Sequence, residues 1–188
     1  GVVATIADVT QPASLAAAVK GVNVVISTVG ARFPIGGNGS AAVDWEGNRA
    51  LIDAAKAAGV RHFILLSAGS AGRDGFPYSW SISPYPWKAK SETHLRRSGV
   101  PYTIIRHLSL MPAQFKESGQ AKLTRDRTVV GAVTRDGLAR LTRECLDKPD
   151  CMNVIFHAVD EQLVVPDRVR ENWKNVVKPE YLQKPAGG

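Results

Sequence analysis

Short runs rich in β-branched residues alternate with alanine-rich stretches of helical period along most of the chain. Residues 2–7 (VVATIA) read as a strand, and residues 12–20 as the helix that follows it. Pro12 suits a first helical position, where a missing N–H leaves nothing unsatisfied, and Gly21 suits a left-handed exit. Residues 22–28 are almost continuously apolar, as in a parallel strand covered on both faces. A glycine-rich loop, 30–40, leads to a helix over 42–58. There Trp45, Leu51, Ile52, Ala55 and Ala58 recur on one side, and Gly59 ends the pattern. Residues 61–67 (RHFILLS) form the next buried strand. A loop carrying Gly69, Gly72, Gly75, Pro77, Pro84 and Pro86 follows, then a helix over 87–97 closed by Gly99, then a fourth strand over 101–106 (PYTIIR). Beyond it the rhythm loosens. Thr134 caps a helix reaching Asp147, 153–158 is a strand, and 166–177 is amphipathic, with Val165, Val169, Trp173 and Val176 or Val177 on one side. Strands alternating with crossover helices predict an α/β fold built on a doubly wound parallel sheet.

Composition narrows the picture. At 188 residues with 44% hydrophobic and 22% charged positions, the chain is sized for one globular domain that needs no staple. We divide it into an α/β domain, 1–165, and a C-terminal helix and tail, 166–188. Cys145 and Cys151 match no metal-ligand spacing, and two thiols make no disulfide framework, so a reduced, intracellular setting is expected. No apolar run approaches a membrane span, and no signal segment opens the chain. The chain opens without an initiator Met directly on a predicted strand, which reads as a fragment or a processed product. The net charge of +7 comes from dispersed basic residues without interleaved aromatics, which argues against nucleic acid as the partner.

In such sheets a ligand sits beyond the carboxyl ends of the strands. Those ends read Ala7-Asp8-Val9, Ser27-Thr28-Val29-Gly30, Ser67-Ala68-Gly69 and Arg106-His107-Leu108. Small and polar residues there allow a ring or a sugar to approach the backbone, although capping alone also selects Ser, Thr, Asp and Gly. The loop Gly36-Gly37-Asn38-Gly39-Ser40 is a surface loop rather than a phosphate cradle, because Arg32-Phe33-Pro34-Ile35 separate it from the strand end. Asp44 and Glu46 stand two apart on a helix and face different ways, so they are not an acid/base pair. The four histidines show no ligand spacing, and only His107 lies at a strand end. Ser67, Tyr85 and Lys88 form a candidate proton-donating group: a Tyr hydroxyl to protonate a carbonyl oxygen, a Lys to lower its pKa, and a Ser to orient the carbonyl. Each also has an ordinary reading as a strand-end, loop or first-turn residue.

Three stretches together resemble a known family. Trp87-Lys88-Ala89-Lys90-Ser91-Glu92 with the strand Pro101-Tyr102-Thr103-Ile104-Ile105-Arg106 is similar to the lysine helix and following strand of the atypical short-chain dehydrogenases, the NmrA-like NAD(P)H-binding group. Val43-Asp44-Trp45-Glu46-Gly47-Asn48 through Phe63-Ile64-Leu65-Leu66-Ser67 resembles the middle of that family, and Asp8 with Gly21 to Ser27 its third-strand region. The resemblance covers about residues 2–156. It implies a Rossmann-like fold that binds NADP or NAD, to which a basic cleft is suited. By that resemblance Asp8 and Val9 flank the adenine, and Ser27, Thr28, Val29 and Gly30 line the cofactor cleft. Lys88 holds the nicotinamide ribose, and Arg106, His107 and Leu108, in the turn running to Ser109, lie near the nicotinamide.

Two departures qualify the expectation. The family's opening strand, GxxGxxG loop, first helix and second strand have no counterpart; they would precede Gly1, in an upstream part of the gene. The sheet is thus expected to lack its first β-α-β segment and to leave an apolar edge open. Second, the family's Tyr-x-x-x-Lys spacing falls on Pro84, so Tyr85 is one place out, in a loop ahead of Pro86. The turn after Arg106 reads His107-Leu108 where the family usually has Pro-Gly. The expected activity is that of an NAD(P)-dependent oxidoreductase with an unspecified small-molecule substrate, in which Ser67 or Ser70 orients the substrate and Tyr85 or no residue donates the proton. The alternatives are a non-catalytic NAD(P)H-binding redox sensor or assembly factor with a protein partner, or an inactive fragment. The location implied is the cytoplasm, or an organelle interior if a transit segment is removed.

Overall fold

The structure is a computed structural model and describes residues 2–33, 35–69, 71, 83–168 and 171. Four parallel strands form its spine: β1 (Val24–Ser27), β2 (His62–Ala68), β3 (Tyr102–His107) and, later in the chain, β7 (Val154–Val159). They lie in the order β1-β2-β3-β7, and β5 (Lys122–Thr124) closes the far edge antiparallel to β7. Strands β4 (Ser109–Met111) and β6 (Ala132–Thr134) pair in parallel as a separate two-stranded sheet. This is the parallel α/β architecture predicted from the alternation, and it fits the Rossmann-like fold that the resemblance implies.

The period of two along β2 explains why the sheet is wound on both faces. Phe63 and Leu65 point into a cluster with Ile52 and Ala55 of α2 (Asn48–Ala57) and Leu95 of α3 (Tyr85–Ser98). Ile64 and Leu66 point the other way, to Leu138 and Leu141 of α4 (Arg135–Glu144). Ile104 and Ile105 repeat the division on β3. A strand buried on both faces must be apolar throughout, which is why HFILL and YTII read as uninterrupted runs.

Glycines end the helices where the sequence places them: Gly59 and Gly99 adopt φ +70° and +84°, values that a Cβ would strain. Gly21, at φ +71°, similarly closes a 3₁₀ turn (Pro12–Ser14) and the short helix α1 (Leu15–Ala18). Thr134 caps α4, its Oγ1 accepting from the Gly137 N–H at 3.0 Å.

Four expectations are corrected. Residues 2–7 form no strand: the described sheet offers them no neighbour, so their backbone stays unpaired, with Val2, Val3 and Ile6 fully or nearly fully exposed. β1 is consequently an edge strand rather than a covered one, and Ile26 is 45% exposed. Tyr85 is not in a loop. It begins α3, because Pro86 sits in the first turn, where no backbone N–H is needed. Finally, Cys145 and Cys151 are joined in a disulfide. Helix α4 stops at Glu144, short of Asp147, and a 3₁₀ turn (Pro149–Cys151) folds the second sulfur back to the first. Of the amphipathic stretch 166–177, most residues, including Val169, Trp173, Val176 and Val177, lie outside the described residues, as does Ser70. Val165 is buried against Met111 and Ala132.

Candidate functional site

The carboxyl ends of β1, β2 and β3 open onto a cleft of about 910 Å³. Thr28, Val29 and Gly30 line it after β1, Ser67 after β2 and His107 after β3. Helix α3 contributes Lys88 and α4 contributes Arg135. The strand ends thus bring together most of the polar residues that sequence reasoning picked from them.

At its centre the Lys88 Nζ lies 2.7 Å from Asp44 Oδ1, with the Asp44 side chain only 1% exposed. Asp44 belongs to a π-helical turn (Ala41–Gly47) that runs directly into α2, a widened geometry that recurs at functional sites. The turn is held from several sides. The Asp44 carbonyl accepts from Ser91 Oγ of α3 at 2.5 Å and from Asn48 Nδ2 at 3.2 Å, and its Oδ2 accepts from the Ala31 N–H at 3.4 Å. One buried carboxylate therefore ties the loop after β1 to the lysine helix. A Cβ on Gly30 would stand 3.5 Å from both Asp44 Oδ1 and Lys88 Nζ, so the missing side chain keeps the approach to the lysine open.

Beside the cleft, and sharing Gly30 and Ala31 with it, is a second pocket of about 360 Å³ lined by Asp8 and Val9. Asp8 Oδ1 accepts from both the N–H and the hydroxyl of Thr10 at 2.8 Å, and these bonds hold its carboxyl below the ordinary value. Val9 packs on Gly47, where a Cβ would come within 2.8 Å of its Cγ2.

Other candidates are placed less directly. Ser27 is buried and donates to Asn48 Oδ1 at 2.8 Å, bracing β1 against the helix rather than lining the cleft. Ser67 lines the cleft, but its hydroxyl donates to Glu92 Oε1 at 2.5 Å. Arg106 grips the same carboxylate with two bonds, Nε to Oε1 at 3.1 Å and Nη2 to Oε2 at 2.5 Å, the fork geometry of a buried pair. Arg106 and Leu108 border a small neighbouring pocket instead of the cleft. Leu108 approaches Gly69 so closely that a Cβ there would lie 3.2 Å from its Cα. Tyr85 does not line the cleft, although Pro84 and Lys88 on either side of it do. His107 does. Burial first, then the charges of Lys88 and Arg135, push its pKa down to about 4, so it is neutral near pH 7. Its Nδ1 is buried without a hydrogen-bond partner among the described residues.

Sequence reasoning missed Asp44, Glu92 and Arg135. The two-residue spacing of Asp44 and Glu46 argues correctly that they do not pair, but carries no sign that Asp44 turns inward to a lysine 44 positions later. Gly69, Gly72 and Gly75 also have GxxGxxG spacing after β2, but Gly72 and Gly75 lie outside the described residues.

A cleft at the carboxyl ends of parallel strands is where α/β proteins of this class bind their ligands, and here it holds a lysine paired with a buried aspartate. The profile of the NAD(P)H-binding family matches residues 1–149, and the chain belongs to that family. It is 30% identical over 166 residues to the uncharacterized sugar epimerase YhfK of Bacillus subtilis, covering 86% of this chain and 74% of that one. It is 27% identical over 156 residues to the photosystem II assembly factor Ycf39 of Trieres chinensis, covering 79% and 47%. The fold is that of the oxidoreductase ylbE from Lactococcus lactis, with a TM-score of 0.71 at 20% identity over 93% of this chain and 78% of that one. The chain spans between 28% and 47% of the length of three of the curated relatives it matches. Among the described residues no helix is long and apolar enough to cross a membrane.

Proposed function

We propose that this chain forms the cleft of an NAD(P)-dependent oxidoreductase acting on a small carbonyl compound. The observation that carries the reading is the Lys88–Asp44 pair at the strand ends, next to an open Gly30. A bound reduced nicotinamide would supply the hydride. The chain's own residues do the rest. Thr28, Val29 and Gly30 present backbone to the sugar, and Asp8 and Val9 flank the adenine in the adjoining pocket. Lys88, its ammonium fixed by Asp44, donates to the ribose hydroxyls. Ser67 faces the substrate, and His107 lies beside the nicotinamide. In this reading Tyr85 donates the proton only if it turns into the cleft that its neighbours line. The protein works in the cytoplasm or in the interior of an organelle, the second suggested by relatives whose names carry the word chloroplastic.

A second reading, a non-catalytic NAD(P)H-binding redox sensor or assembly factor, is favoured by two observations. Tyr85 does not line the cleft, and the Ser67 hydroxyl is committed to Glu92. The assembly-factor relative fits it as well. Titration of the full-length protein with NADPH and NADH, followed by a panel of aldehydes, ketones and quinones, separates the two. Binding with NADPH oxidation is the expected result; binding with no turnover across the panel assigns the sensor, and no binding at all overturns both.

A further inference from the structure

Among the described residues that line the cleft, cations outnumber carboxylates. Asp44 is the only acidic one of them and is committed to Lys88, while Arg135 and Arg143 of α4 also line it and form no ion pair among the described residues. Arg135 is the more informative. It occupies the first position of α4, where the helix dipole disfavours a cation, so local preference does not explain it. One guanidinium nitrogen, Nη1, donates to the Met111 carbonyl at 2.8 Å, which pins the side chain to β4. Arg135 lines the cleft and its other guanidinium nitrogens make no hydrogen bond among the described residues, an arrangement that suits a planar oxyanion.

Lys88 and Arg135 come from helices on opposite faces of the sheet and line the same cleft as His107, and both act on that histidine electrostatically. The pocket at Asp8 and Val9 adjoins the cleft at Gly30 and Ala31. Taking the dinucleotide to run from that pocket to Lys88, as proposed above, Arg135 stands beyond its far end. We infer that Arg135, with His107 beside it, is the substrate-binding pole of the cleft and that the substrate carries a carboxylate or phosphate group. His107 lines the same cleft as a neutral imidazole, and its buried Nδ1 has no hydrogen-bond partner among the described residues. An anion placed there offsets the field of Lys88 and Arg135 that disfavours the protonated imidazole.

The test is calorimetric titration of the full-length protein with inorganic phosphate and with oxalate, without and with saturating NADP, alongside NADPH titrations of each variant. Both anions are expected to bind with NADP present, and Arg135→Leu to weaken them at least tenfold while NADPH affinity stays within twofold. Arg135→Lys keeps the charge and loses the fork, so an intermediate loss is expected and covers the case in which Arg135→Leu fails to fold. By NMR the His107 pKa is expected to rise on anion binding, as linkage requires. Absence of anion binding, or binding indifferent to Arg135→Leu, overturns the inference. Equal weakening of NADPH and anions also overturns it, since the arginine would then serve a cofactor phosphate. If the anions bind through Arg135 while NADPH does not bind the unaltered protein, the oxidoreductase reading falls and the anion site stands.

Discussion

His107 shows how a single side chain in this cleft couples site and stability. An unfolded-chain histidine titrates near 6.5, whereas this one is held down to about 4 by burial and two neighbouring cations. Between those values the unfolded chain takes up a proton that the folded one refuses, so stability is present above pH 6.5 and lost as pH falls toward 4. Urea unfolding at pH 7 and pH 5 is expected to show a loss on the order of 2 kcal/mol that His107→Gln reduces. A residual slope is expected from His62, whose pKa is also lowered by burial. Identical pH dependence in the variant would contradict this. At this scale the sequence was partly readable. Thr28, Val29, Gly30 and His107, picked because strand ends are where ligands sit, line the cleft, and so does Lys88, picked from its helix and the family resemblance. Asp44 and Glu92 were not picked, because a carboxylate turned inward by packing leaves no mark in spacing. Arg106 read as a site residue because nothing local reveals that Glu92, fourteen positions earlier, takes its charge.

Elements were readable where local chemistry and tertiary packing agree. The helix ending at Gly59 and the cap at Thr134 were predicted from residues whose roles are backbone-determined. The π-helical turn at Ala41–Gly47 was not, since it is imposed by the contacts of Asp44 with α3 and the loop after β1. Pro86 was read as a breaker although it suits a first turn equally well, and only the position of Pro84 and Tyr85 in the folded chain decides between the two. Helix α4 matters because it carries Arg135. Thr134→Ala removes the bond to the Gly137 N–H and is expected to cost about 1 kcal/mol by chemical denaturation. No loss of stability would mean that the cap does not hold the start of the helix.

For the molecule as a whole, the class of sheet followed from apolar runs alternating with helices, but its edges did not. Whether a strand is central or peripheral depends on which neighbours are present, and VVATIA has strand composition with no described partner to bond. In the 188-residue chain, hydrogen exchange is expected to be slowest for the amides of β2 and β3, each paired on both sides. Residues 2–7 are expected to exchange at nearly unprotected rates, and slow exchange there would show that they are paired after all. Beside that open edge, Lys88 lines the cleft and pairs with the buried Asp44, and the proposed cofactor site turns on it. The most direct measurement is fluorescence titration of the full-length protein and its Lys88→Ala variant with NADPH. The variant is expected to fold normally and to bind NADPH at least tenfold more weakly, about 1.4 kcal/mol. Unchanged affinity in a folded variant would contradict it.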